Sequence, residues 1–177
     1  MKKTALFSIL SLIAISNAHA VDGTITINGE VTDKTCNIVT PAGKDFVVTL
    51  PTVSKQTLSA SGAVAGRTPF SINLANCSEG KVATFFETGD NVDFATGRLN
   101  NTDASGAKNV KVQLLGSNSQ FIPILAAGST GAQNNSQWVD VVANGSANLN
   151  YYAEYYATNA ATPGKVTTSV KYTIIYQ

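Results

Sequence analysis

KVTTSVKYTIIYQ, residues Lys165–Gln177, alternates almost without interruption. Val166, Val170, Tyr172, Ile174 and Tyr176 fall on one face of an extended chain, and Lys165, Thr167, Ser169, Lys171 and Thr173 fall on the other. β-Branched and aromatic residues at that period predict a strand with one dry and one wet face. PFSINL (Phe70, Ile72, Leu74), NVKVQLL (Val110, Val112, Leu114) and LNYYAEYYA repeat the pattern. In the last of these a helix would also bring Tyr151 and Tyr155 onto one face. Tyrosine-rich sequence after Asn144 and Gly145 nevertheless favours a strand. After the first twenty residues no long stretch keeps apolar residues at helical spacing, so the predicted class is all-β.

Turn residues punctuate these runs at Pro41–Gly43, Ser61–Gly62, Ser78–Gly80, Thr88–Asp90, Ser105–Gly106, Asn144–Gly145 and Pro163–Gly164. The spacing predicts about seven or eight short strands, the count of a two-sheet sandwich of immunoglobulin-like kind. GSTGAQNNSQ, Gly128–Gln137, is polar and glycine-bearing and reads as a loop inside one domain.

At the front, MKKTALFSILSLIAISNAHA joins Lys2 and Lys3 to an apolar run and a small-residue ending at Ala18, His19 and Ala20. That is the build of a secretory signal peptide, with cleavage expected between Ala20 and Val21. Removing 20 of 177 residues leaves 157, and losing both lysines turns the formal charge from +1 to −1. No basic field then remains to attract nucleic acid. The expected organisation is a leader over 1–20, an N-terminal segment over 21–32 and one domain over 33–177.

The single histidine, His19, lies in that leader, which removes the usual base of a nucleophilic triad. No GxSxG, HExxH or phosphate-binding glycine loop is present. Glu87, Asp90 and Asp93 in FETGDNVDF could formally make an acid pair or, with Asn91, a calcium site. Short acidic clusters beside a glycine more often form solvated turns, so we expect no enzyme, no metal and no cofactor. The two cysteines, Cys36 and Cys77, enter an oxidising compartment on export, and an even pair there is most simply a disulfide.

VDGTITINGEV, Val21–Val31, places Gly23, Ile25, Ile27, Gly29 and Val31 on one face. Burying its three aliphatic residues is worth about 5 to 9 kcal/mol before entropy. A groove must therefore exist for them, either in this chain's own sandwich or in another molecule that accepts an added strand.

ITINGEV leading into Cys36, Cys77 after an apolar strand, Gly164 fourteenth from the end and the penultimate Tyr176 in YTIIYQ form a set, joined by TGRLNNTDASGAKNVKVQLL in the middle. Together they resemble the major pilins of chaperone–usher fimbriae of the type 1-like group of Gram-negative bacteria. The resemblance covers essentially the whole chain after the leader. It implies an incomplete immunoglobulin-like sandwich, completed by a donor strand from another subunit. It also implies a structural subunit that passes through the periplasm to a cell-surface fimbria supporting adhesion. Its implied partners are neighbouring pilin subunits, a periplasmic chaperone, an outer-membrane usher and a tip adhesin. Gly23, Ile25, Ile27, Gly29 and Val31 would be the donor strand, with Gly29 at the family's invariant small position. Gly164, Val166, Val170, Tyr172, Ile174 and Tyr176 would belong to the acceptor groove and the chaperone contact. A fimbrial minor subunit or an adhesin-type carbohydrate-binding module is the alternative, the latter resting on the tyrosine pairs of LNYYAEYYA.

Overall fold

The computed structural model describes residues 22–125, 128 and 131–177; the expected leader lies outside them. Thr32–Gln177 forms a compact unit. Among the described residues its strand segments make two sheets. The larger runs in the order β1 (Asn37–Ile38), β2 (Val64–Cys77), β9 (Gly145–Ala157), β6 (Val110–Leu115), β5 (Arg98–Asn100) and β4 (Val92–Asp93), with β7 (Phe121–Ile122) also on β6. The smaller places β3 (Gly80–Phe86) between β10 (Tyr172–Tyr176) and β8 (Val139–Val141). Every pairing is antiparallel. Ten segments against the expected seven or eight reflects β1, β4 and β7, each only two residues long. A pair that short leaves no readable alternation.

β9 is the spine of the larger sheet. LNYYAEYYA is strand throughout, paired to β2 through Phe70↔Tyr151 and Ile72↔Leu149 and to β6 through Leu114↔Ala153 and Val112↔Tyr155. Its inward face, Ala147, Leu149, Tyr151 and Ala153, meets Ile72, Leu74, Leu114 and Ile122 in a continuous core with Val82 and Phe86 of the smaller sheet. Tyr151 is 1% exposed and packs edge-on against Phe86 at 5.2 Å. Burial pushes its phenol pKa up, so the ring stays neutral and packs as an aromatic with its hydroxyl close to that of Ser136, at 3.4 Å.

The outward face of β9 carries Tyr152, Glu154 and Tyr156. Glu154 is 2% exposed and accepts from Arg67 Nε at 2.8 Å and from Gln113 Nε2 at 2.7 Å. Gln113 in turn accepts from Arg98 Nε at 2.9 Å, and the Arg98 guanidinium lies 3.7 Å from the Tyr156 ring centre and 4.3 Å from that of Phe121. Buried polar groups are thus paired along a chain of side chains. Where β2 passes this region it bulges between Ala65 and Thr68. Gly66 supplies φ +71° there, and any Cβ would stand 3.0 Å from the Tyr155 ring.

The Cys36–Cys77 disulfide ties the segment before β1 to the end of β2. A 3-10 turn, Lys55–Leu58, is capped by Ser54, whose Oγ accepts from Gln56 N at 3.2 Å.

Candidate functional site

The strand expected over Lys165–Gln177 enters a ladder only at Tyr172–Tyr176. Its burial nevertheless alternates without a break from Val166 to Ile174, with Val166, Thr168, Val170, Tyr172 and Ile174 turned inward. The backbone explains the difference. Gln177 exchanges both hydrogen bonds with Lys81, and Glu87 N donates to Lys171 O at 2.8 Å, so odd-numbered residues of β10 face β3. Further back the same edge is held by side chains and loops. Asn101 Oδ1 accepts from Thr167 N, Thr102 N donates to Thr167 O, and Ala107 N donates to Lys165 O. Even-numbered residues therefore aim their N–H and C=O groups the opposite way. No strand among the described residues pairs with that edge.

Across a gap from this edge runs Lys44–Leu50, bent at Lys44 and Asp45, alternating in burial from Phe46 to Leu50 and also outside any ladder. Phe46, Val48 and Leu50 point inward, whereas Val47 is 89% exposed. The two walls run antiparallel. Phe46 lies 6.4 Å from the Tyr172 ring and Tyr172 Oη donates to Lys44 O at 2.8 Å, while Val53, beyond Leu50, shares a cluster with Val166. Between them opens a groove of about 910 Å³. Its floor is the core itself, reached at Phe70, Ile72, Phe86, Leu99, Val112, Leu114, Ala153 and Tyr155. Burial, with Asp45 nearby, pushes the Tyr172 phenol up, and burial does the same for Tyr155. A trough with an apolar floor, one of whose sides has no strand paired to it among the described residues, has room for one more strand.

Val166, Val170 and Tyr172 line this groove. Ile174 and Tyr176 continue the same face onto the core beyond it, and the Tyr176 hydroxyl accepts from Cys36 N at 3.0 Å. Gly164 is not in the lining: a Cβ there would collide with Ala107 N and the Gly106 carbonyl carbon, so it permits a close chain crossing at the turn before the wall. In the N-terminal segment Ile25, Ile27 and Val31 are 90%, 90% and 100% exposed, and among the described residues nothing beyond the immediate chain neighbours lies within 4 Å of a Cβ built on Gly23 or Gly29. The sequence reading missed the Lys44–Leu50 wall. Its signal was present in Phe46, Val48 and Leu50, but Val47 filled a wet position with an apolar residue and hid the period.

Of the acidic group, Glu87 and Asp93 are tied into the fold. Glu87 Oε1 accepts from Thr173 Oγ1 at 2.6 Å, and Asp93 pairs with Lys111 and accepts from Thr96 Oγ1 at 2.5 Å. The outward tyrosines Tyr152 and Tyr156 have their ring faces engaged by Arg67 and Arg98.

Residues 50–177 match the model of the family described as type-1 fimbrial protein, A. The chain belongs to this fimbrial family. It is 70% identical to the major fimbrial subunit SMF-1 of Stenotrophomonas maltophilia strain K279a, over 90% of this chain and 95% of that one. It is 44% identical to the F17 fimbrial protein of Escherichia coli, over 97% of each. Among solved structures, a chaperone–usher pilus subunit superposes with a TM-score of 0.60 at 22% identity, covering 88% of this chain and 95% of that one. The P pilus rod subunit PapA superposes with a TM-score of 0.59 at 19% identity, covering 80% and 99%. The fold of this fimbrial protein is therefore the immunoglobulin-like sandwich of chaperone–usher pilins, and the protein is a non-enzymatic structural subunit of a cell-surface fimbria.

Proposed function

We propose that this fimbrial subunit polymerises by donating Gly23–Val31 to the groove of the next copy, as an added strand between Lys44–Leu50 and Val166–Tyr172. The observation that carries this reading is the groove itself: an apolar trough whose Val166–Tyr172 side turns unpaired backbone toward it, matched within the same chain by an exposed segment of alternating Ile25, Ile27 and Val31. Ladder hydrogen bonds give such an addition its affinity, and side chains set into the floor give it selectivity. Residues 21–32 act as the donor extension, residues 33–177 as the receiving domain and residues 1–20 as the export signal. An open edge of this length invites aggregation. A periplasmic chaperone therefore occupies the groove first, and exchange for the next subunit's extension takes place during export through an outer-membrane usher. The 70% identical relative is named a major subunit, which supports a place in the shaft, with a tip adhesin at the far end.

Moving the extension tests this. A chain lacking Val21–Val31 at its start, with that segment appended after Gln177 through a short linker, is expected to be a soluble monomer without chaperone and to form no fibres. A chain that simply lacks the segment and still folds as a stable monomer would overturn the proposal.

A further inference from the structure

Asn-Gly occurs twice in the chain, at Asn28–Gly29 and at Asn144–Gly145. Asparagine is a thermolabile residue, most of all before glycine, which has no Cβ to keep its nitrogen away from the neighbouring side chain. The glycine nitrogen loses its proton and attacks the asparagine Cγ. A new C–N bond closes a five-membered succinimide ring, and the side-chain nitrogen leaves with that proton as ammonia. Water then opens the ring at one carbonyl or the other. The product is aspartate, or isoaspartate in which the main chain runs through Cβ. One water is taken up, one ammonia is released, and no other reactant is needed.

The two copies differ in backbone and not in side-chain exposure, since both asparagines are exposed. Asn144 N donates to Cys77 O and Gly145 N donates to Val142 O, each at 2.8 Å, and Gly145 opens β9 opposite Cys77. Asn144 is held at φ +58°, and the nitrogen that must attack is engaged. Ring closure there waits on local opening of the turn. Asn28 and Gly29 belong to no ladder and make no hydrogen bond among the described residues. The Gly29 nitrogen is thus free to attack as soon as Asn28 turns about its Cα–C bond.

We propose that Asn28–Gly29 is an ageing site of the unassembled subunit, at which isoaspartate formation withdraws the N-terminal segment from assembly. Isoaspartate adds one carbon to the main chain between Ile27 and Gly29. Val31 then falls out of step with Ile25 and Ile27 on an alternating face. In the fibre the site is protected, because strand pairing holds Asn28 and Gly29 extended. The reactivity of Asn28 rests on its local backbone; its protection in fibres and the loss of assembly rest on the donor-strand reading above.

Subunit held in its periplasmic chaperone complex by withholding the usher, and purified fimbriae, are incubated side by side at neutral pH. Peptide mass spectrometry follows each asparagine, and isoaspartyl methyltransferase labelling marks the isomer. In the complex Asn28 is expected to convert at least about tenfold faster than Asn144, and in fimbriae to fall at least about tenfold below its rate in the complex. When usher is supplied to an aged pool, fibres should contain severalfold less isoaspartate at position 28 than the pool. Asn28→Gln, which would need a six-membered ring, should keep an aged pool competent. Asn28 converting no faster than Asn144 in the complex would overturn the site. Equal rates in complex and fimbriae would leave the site standing and overturn the donor-strand reading. Isoaspartate entering fibres in proportion to the pool would overturn its effect on assembly.

Discussion

β9 and the Val166–Tyr176 segment carry the same kind of sequence, alternating and rich in aromatic and β-branched residues, yet one is a finished strand and the other is half of one. β9 has β2 along one edge and β6 along the other, with an inward face at the centre of the core. The C-terminal segment has β3 and loop contacts along one edge and a trough along the other. Alternation records which face a side chain takes; it says nothing about how many backbone edges are paired. On the donor-strand proposal, the difference between those two properties is where assembly takes place.

The contrast can be broken most severely at β9. Leu149→Pro removes a ladder hydrogen bond from a strand paired on both sides. Loss of soluble, folded subunit in periplasmic extracts is expected even when chaperone is supplied. The second-largest effect moves to the donor. Gly29→Asn should abolish fibres seen by electron microscopy while the chaperone complex still co-purifies, because the receiving domain is untouched. Fibres of normal length from this variant would remove Gly29 from the interface.

Smaller effects sharpen the comparison by leaving both edges intact. In the self-complemented monomer, replacing Cys36 and Cys77 by serine should cost about 4 kcal/mol in denaturant unfolding, as expected for opening a loop with 41 residues of separation. The smallest concerns the edge of the larger sheet. Lys111, then Thr96, hold the Asp93 carboxylate down at about 2. A carboxyl whose folded pKa lies below its unfolded value of about 3.9 contributes stability above that value and loses it as pH falls through 2. Asp93→Asn should therefore destabilise by roughly 1 kcal/mol at neutral pH, with the gap to the parent closing between about pH 4 and 2.

Much of this architecture was legible from residues alone. β2, β6 and β9 stand where PFSINL, NVKVQLL and LNYYAEYYA alternate, and the helical option for Tyr151–Tyr156 failed because Tyr151 packs into the core from a strand between β2 and β6. The C-terminal wall was half legible. Its face was right from Val166 onward, but its ladder is restricted to Tyr172–Tyr176, because Asn101, Thr102 and Ala107 satisfy the earlier backbone groups in place of a strand. The opposite wall was illegible, since Val47 is an apolar residue at an exposed position and period-2 reading depends on polar residues there. Nor could sequence show that Gly164 serves a chain crossing against Gly106 and Ala107, or that the Tyr176 hydroxyl reaches back to the Cys36 amide. Both depend on contacts distant in sequence, which no local pattern encodes.

Electron cryo-microscopy of the assembled fibre, at a resolution that separates side chains, tests the central claim most directly. The account predicts Ile25, Ile27 and Val31 of one copy seated between Lys44–Leu50 and Val166–Tyr172 of its neighbour, over Phe70, Ile72 and Leu114. Density placing those three side chains in the groove of their own copy, or along the outer surface of the shaft, would contradict it.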